Sequence, residues 1–198
     1  MKKLTLFLSL MMLTLTMSTQ AEEKDKRLEK TQDYVIEVKV EGKSIGKIDV
    51  SLWPDLAPKT VHNFDSLVTA GALDGTAFHR VIPGFVIQGG DPNSVSGPKN
   101  TWGMGNPSQT RIPAEFSNVP HDRGILSMAR SQDPNSASSQ FFICHQAAYS
   151  LNNNYAVFGK VTNGMDVVDV IVNADRDRRD NPLKKHVMYV TKRKRNKL

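Results

Sequence analysis

Residues 78–91, FHRVIPGFVIQGGD, set one arginine, Arg80, among apolar neighbours and follow it with the turn dipeptide Pro83-Gly84, then Phe85, Gln88 and the pair Gly89-Gly90. Apolar runs at 77–80 and 85–88 lie on either side of that turn and read as two short strands. An arginine inside such a run is rarely a plain surface charge. It implies a guanidinium fixed beside an apolar pocket. Gly89-Gly90 fits a demand of backbone geometry and not phosphate binding.

Outward from this stretch the strand signal recurs. Residues 34–40, YVIEVKV, and 46–52, GKIDVSL, alternate apolar and polar side chains and read as a hairpin turned around Glu41-Gly42-Lys43. Residues 58–70 read as a helix: Val61, Phe64, Leu67 and Val68 make one apolar face, Pro58 suits the first turn and Gly71 the stop. Residues 91–109, rich in Gly, Pro, Asn and Ser, form a long loop of the kind that is often functional in a compact domain. Strand-like runs follow at 124–129, 140–144, 156–161 and 187–191, with a second helix at 165–172. Many short strands, two helices and frequent Gly and Pro describe a mainly β domain. A closed antiparallel barrel capped by two helices hides its strand edges best; a sandwich is the second choice.

The 198 residues suffice for one ordinary domain, and 39% hydrophobic with 23% charged residues is a globular composition without repeats or long disorder. Lys2 and Lys3, an apolar run from Leu4 to Met17 and the small residues around Thr19-Gln20-Ala21 read as a signal peptide, 1–21, cleaved after Ala21. The run is too short for a comfortable membrane span. A charged lead-in, 22–33, would precede a domain at 34–191, and the expected location is the periplasm. The formal charge of +6 would fall to +4 with the loss of Lys2 and Lys3. Much of the remainder sits in a basic tail, 192–198, suited to anionic envelope components such as lipid or polysaccharide. The single cysteine, Cys144, has no intrachain partner and follows an apolar run, which marks an inert core thiol.

The strings FHRVIPGFVIQGGD, IPAEF, GILSMAR, SQFFIC and VFGKV, in that order, resemble the cyclophilin family of peptidyl-prolyl cis-trans isomerases over about residues 34–191. The export signal, the GILSMAR form and Tyr155 resemble a bacterial periplasmic member. The resemblance implies an eight-stranded antiparallel closed β-barrel capped by two α-helices. It makes Arg80 the catalytic residue. It places Phe85, Val86, Phe142 and Leu151 around a proline pocket, with Gln88 and Gln140 holding the substrate backbone and Arg80. Ala129 and Arg130 would flank the peptide, the backbone of Arg130 pairing with it, and Tyr155 would stand where many eukaryotic members carry histidine. His79 matches a family histidine, and it reads as structural. Trp102 and Met104 would wall the residues upstream of the proline. Two positions depart from the family: Ser150 replaces an aromatic on which the inhibitor cyclosporin leans, and Val86 replaces a common methionine.

The implied reaction explains why these residue types suffice. Rotation about the amide faces a barrier of about 18–20 kcal/mol because nitrogen shares its lone pair with the carbonyl. No bond is made or broken, so no nucleophile, metal or cofactor is needed. A donor aimed at the prolyl nitrogen favours the twisted state, in which that lone pair is free, and arginine is always charged and donor-only. The expected partners are proline-containing peptides and unfolded exported proteins, with no nucleic acid, and the expected state is a monomer. The alternative is a binding module of the same fold that holds proline segments without turnover.

Overall fold

The computed structural model describes residues 31–193; the expected signal peptide, most of the lead-in and 194–198 of the basic tail lie outside the described residues. Eight strands form one antiparallel sheet: β1 (Gln32–Val40), β2 (Lys43–Leu52), β3 (Arg80–Val81), β4 (Val86–Gly89), β5 (Ile125–Met128), β6 (Phe141–Cys144), β7 (Val157–Asn163) and β8 (His186–Lys192). Their order is β3-β4-β6-β5-β7-β2-β1-β8. The expected hairpin is present, with a tighter turn: only Glu41 and Gly42 separate β1 from β2, both at positive φ (51° and 79°). This is the backbone pattern whose twist matches that of paired strands.

The sequence leads one to expect a closed barrel; the sheet is curled and its ladder has two ends, β3 and β8. Pro83 carries no backbone N–H and Gly84 turns the chain, with Phe85 N donating to Ile82 O at 3.0 Å, so β3 stops after two residues. The segment before β3 meets β8 instead. Gly75 N donates to Met188 O at 3.0 Å, Met188 N to Thr76 O at 2.8 Å and Phe78 N to His186 O at 3.0 Å, and Ala77 and Val187 form a single antiparallel bridge.

Among the described residues three α-helices accompany the sheet: α1 (Pro58–Thr69), the single turn α2 (Asn93–Ser96) and α3 (Met165–Val172). Helix α1 ends as its sequence suggests, with Ala70 N bonded to Ser66 O and Gly71 at φ 66°. It has no side-chain cap of its own. The Glu115 carboxylate, from a distant loop, accepts the N–H groups of Lys59 (3.0 Å) and Thr60 (2.8 Å) and the Thr60 hydroxyl (2.7 Å). Phe64 of α1 is buried against Tyr34, Phe141 and Phe158, with ring centroids 5.3–5.6 Å apart. Helix α3 adds Val167, Val168, Ile171 and Val172 to the same core.

Alternation along the strands builds a second apolar layer. In β4, β5, β6 and β7, Ile87, Leu126, Phe141, Ile143 and Phe158 face the main core, while Val86, Ile125, Phe142, Cys144 and Val157 face the other way. Trp53 and Ala148 pack on that second face. Both faces of β5 and β6 are therefore buried, which is why their sequences read as continuous apolar runs. Burial, with a smaller effect of the Asp122 charge, pushes the Cys144 thiol up to about 12, as expected of an inert core cysteine.

Candidate active site

The second layer ends at an open pocket. Cross-strand register explains its composition: Arg80 of β3 pairs with Gln88 of β4, Gln88 with Phe142 of β6, and Phe142 with Ser127 of β5. Paired residues on adjacent strands share a face, so side chains dispersed over 63 positions of the chain, from Arg80 to Phe142, stand in one row. A cavity of about 160 Å³ beside this row is lined by Arg80, Phe85, Val86, Gln88, Ala129, Arg130, Phe142, Leu151 and Tyr155. All were expected there from sequence. The remaining expected residue, Gln140, lines an adjoining groove of about 250 Å³, which shares Gln88, Ala129 and Arg130 with the pocket.

Polar contacts orient the row. Gln140 Nε2 donates to Gly103 O (3.2 Å), Gln88 Nε2 donates to Gln140 Oε1 (3.0 Å), and the Gln88 carbonyl is thereby left facing Arg80 Nη1 at 3.5 Å. That last contact is at the outer limit of a hydrogen bond. Arg80 is half-buried and forms no ion pair among the described residues, so most of its donors remain available. Phe142 is held edge-on by Tyr155 at 5.6 Å, and the Arg130 guanidinium lies 4.8 Å over the Tyr155 ring. The N–H and C=O of Arg130 have no partner among the described residues, leaving a short open strand edge beside the pocket.

Supporting residues went unassigned in the sequence. His121 is buried and stacks on Phe142 (6.0 Å, 22° between planes), with its ring nitrogens 3.0 Å from Asn152 Oδ1 and 3.1 Å from Ser127 Oγ. It fixes the pocket floor from behind, and burial holds its pKa below the usual histidine value. Asp91, the last residue of the opening stretch, is buried and accepts the N–H groups of Asn93 (3.0 Å), Gly103 (2.5 Å) and Gly105 (3.2 Å). One carboxylate thus shapes the long loop, and an Asp ahead of Pro-Asn is the sequence signal for such a turn. His79 is buried beneath Gly103 and its pKa is lowered by burial, in keeping with a structural histidine.

The pair Gly89-Gly90 is required by close approach. A Cβ on Gly90 would stand 2.5 Å from Ser139 O, at φ 85°, and one on Gly89 would stand 2.9 Å from Ala77 O. Of the proposed side wall, Met104 lines the groove and is 71% exposed. Trp102 does not line it; the indole donates to Gly97 O at 2.9 Å and lies below Lys185. Ser150 is exposed in the turn 149–151, and the neighbouring Tyr149 points away, its hydroxyl donating to Asp122 Oδ1 at 3.0 Å.

Comparison with known proteins places this geometry. The family model "Cyclophilin type peptidyl-prolyl cis-trans isomerase/CLD" matches residues 35–193. A probable peptidyl-prolyl cis-trans isomerase of Brucella suis is 49% identical over 130 residues, covering 64% of this chain and 66% of the relative. Peptidyl-prolyl cis-trans isomerase B of Bacillus subtilis is 44% identical over 131 residues, 65% of this chain and 85% of the relative. The crystal structure of a cyclophilin type peptidyl-prolyl cis-trans isomerase from Cryptosporidium parvum superposes with a TM-score of 0.74 at 29% identity, covering 84% of this chain and 100% of that one. A second crystal structure bearing that protein's name, in the presence of the dipeptide Ala-Pro, gives 0.72 at 30% identity.

Proposed function

The chain belongs to the cyclophilin-type peptidyl-prolyl cis-trans isomerase family, and from that premise we propose that it accelerates rotation about X-Pro bonds. The observation that carries the proposal is the juxtaposition of a half-buried Arg80, without an ion pair among the described residues, with a pocket whose apolar side is Phe85, Val86, Phe142 and Leu151. The solved relative in the presence of Ala-Pro supports a prolyl peptide as occupant.

In the proposed mechanism Phe85, Val86, Phe142 and Leu151 hold the proline ring. Arg80 donates to the prolyl nitrogen as the amide twists and the nitrogen becomes pyramidal. The planar states offer no free lone pair, so the contact favours the twisted state alone. Gln88, locked by Gln140, keeps Arg80 aimed, and the open N–H and C=O of Arg130 pair with the peptide backbone. An acceleration of ~10⁵-fold requires about 7 kcal/mol of such preference. The rotation moves no proton, so the rate needs no general acid or base.

The cellular role follows from the sequence. With residues 1–21 read as a signal peptide, the domain at 34–191 would act in the periplasm of a bacterium on unfolded exported proteins, assisting their folding as a monomer. The tail, 192–198, would dock on anionic envelope components. The bonds joining 75–78 to 186–188 support closure of the curled sheet into a barrel.

The decisive assay follows cis-trans relaxation of a short Ala-Pro peptide with purified protein. Catalysed relaxation is expected, with most of it lost in Arg80→Ala. No acceleration overturns the isomerase reading, and an Arg80→Ala variant as fast as the parent overturns the role of Arg80.

A further inference from the structure

We propose that the groove beside the proline pocket selects carboxylate side chains, so that the favoured substrates carry Glu or Asp two residues before the proline, held by Arg111 and Arg130. This rests on the isomerase reading above and adds a substrate class to it. The path of the peptide sets the geometry. In the proposed pose the ring fills the pocket with its nitrogen facing Arg80, and the preceding residues run into the adjoining groove, which shares Gln88, Ala129 and Arg130 with the pocket. Gln140 bonds to Gly103, and Gly103, Met104, Arg111 and Arg130 all line the groove.

The two arginines are prepared for an anion in different ways. In Arg130, Nε donates to Asn154 O (2.9 Å) and Nη1 to the carbonyls of Ser131 (2.9 Å) and Gln132 (3.1 Å), while the plane stacks over Tyr155. The guanidinium is therefore held still, and its Nη2 edge has no partner among the described residues. Little side-chain entropy remains to be lost on pairing. Arg111 is exposed and makes no hydrogen bond or ion pair among the described residues.

Three acids close to groove-lining residues accept other donors, and none pairs with Arg111 or Arg130 among the described residues. Glu115 caps α1, Asp133 accepts from Asn135 N at 2.9 Å, and Asp91 is buried against loop amides. Neither cavity is lined by any Asp or Glu, whereas Arg80, Arg111 and Arg130 all face one or the other. A concave surface of one sign, with low-dielectric walls, concentrates the opposite charge.

The test compares two end-blocked peptides, Ala-Glu-Ala-Pro-Phe and Ala-Gln-Ala-Pro-Phe, by NMR exchange for kcat/KM and by chemical-shift titration for Kd. The ratio of the two peptides is read within each protein, so a general loss of activity in a variant cancels. In the parent the Glu peptide is expected to be favoured by roughly three- to ten-fold at low salt, the effect of one or two partly screened ion pairs. The ratio should decline toward one at about 0.5 M salt, and fall in both Arg111→Gln and Arg130→Gln. A ratio near one in the parent, or one retained in both variants, overturns the proposal. If the Glu peptide binds more tightly but neither peptide is turned over, the groove stands and the isomerase reading falls. If neither peptide binds, both fall.

Discussion

At the scale of single residues the account turns on how a few side chains are held. Arg80 has a long contact to Gln88 and no acidic partner among the described residues, so its donors are available to a substrate atom. Replacing it with alanine should lower kcat/KM by about 10²–10³, the usual loss for one donor aimed at developing charge or a freed lone pair. The peptide Kd should change far less, because in the proposed mechanism Phe85, Val86, Phe142 and Leu151 hold the ring; a Kd that rises in step with the loss of rate would mean that Arg80 anchors and does not catalyse. Most residues of the pocket were legible in the sequence because they sit in recognisable strings; Leu151 and Tyr155 lie between two of those strings and came from the resemblance alone. His121 and Arg111 were not legible, since neither lies in a local pattern and each acquires its role from segments distant in the chain. Asp91 stood inside the opening stretch, yet its duty depends on a loop that returns 12 and 14 residues later.

At the scale of elements, the two longer helices and most strands were readable, β5 and β6 included, whereas the bounds of β3 and β4 and the single turn α2 were not. Helix α3 occupies the expected residues, and α1 ends one residue early, because apolar spacing, Pro58 and Gly71 act locally. Strands β3 and β4 are two and four residues long and are defined by neighbours, so their edges shift from the expected 77–80 and 85–88. Ala77 and Phe78 belong to contacts with β8. Two variants probe such non-local supports. Glu115→Ala removes the only side-chain cap of α1 among the described residues and should cost about 1–2 kcal/mol, visible as a Tm lower by roughly 2–8 °C; an unchanged Tm would show that water replaces the carboxylate without loss. Gly90→Ala forces a Cβ against Ser139 O at positive φ and should cost at least about 1–3 kcal/mol. Wild-type stability in that variant would mean that the β4–β6 junction relaxes freely.

At the scale of the whole molecule, charge and burial set the response to pH. His79, His121 and His186 are buried, and for each the dominant effect of burial is to lower the pKa. Their unfolded value is near 6.5. The unfolded chain therefore takes up protons first on acidification, and the stability that these histidines contribute is present above about pH 6.5 and lost as pH falls toward their lower folded values. The urea midpoint should drop between about pH 7.5 and 5.5, a window above the ordinary carboxylate range; a constant midpoint would mean that the three rings protonate freely in the fold. The sheet as a whole was legible as mainly β with eight antiparallel strands. Its two-ended ladder was not, because nothing in the sequence states how far a two-residue strand can pair. The central claim is that the pocket turns over its occupant and does not merely hold it. NMR exchange on a saturating Ala-Pro peptide tests this most directly. The account predicts that the cis and trans forms interconvert on the protein within about a second or faster, against roughly tens to hundreds of seconds in water. Saturable binding with interconversion as slow as in water would contradict it.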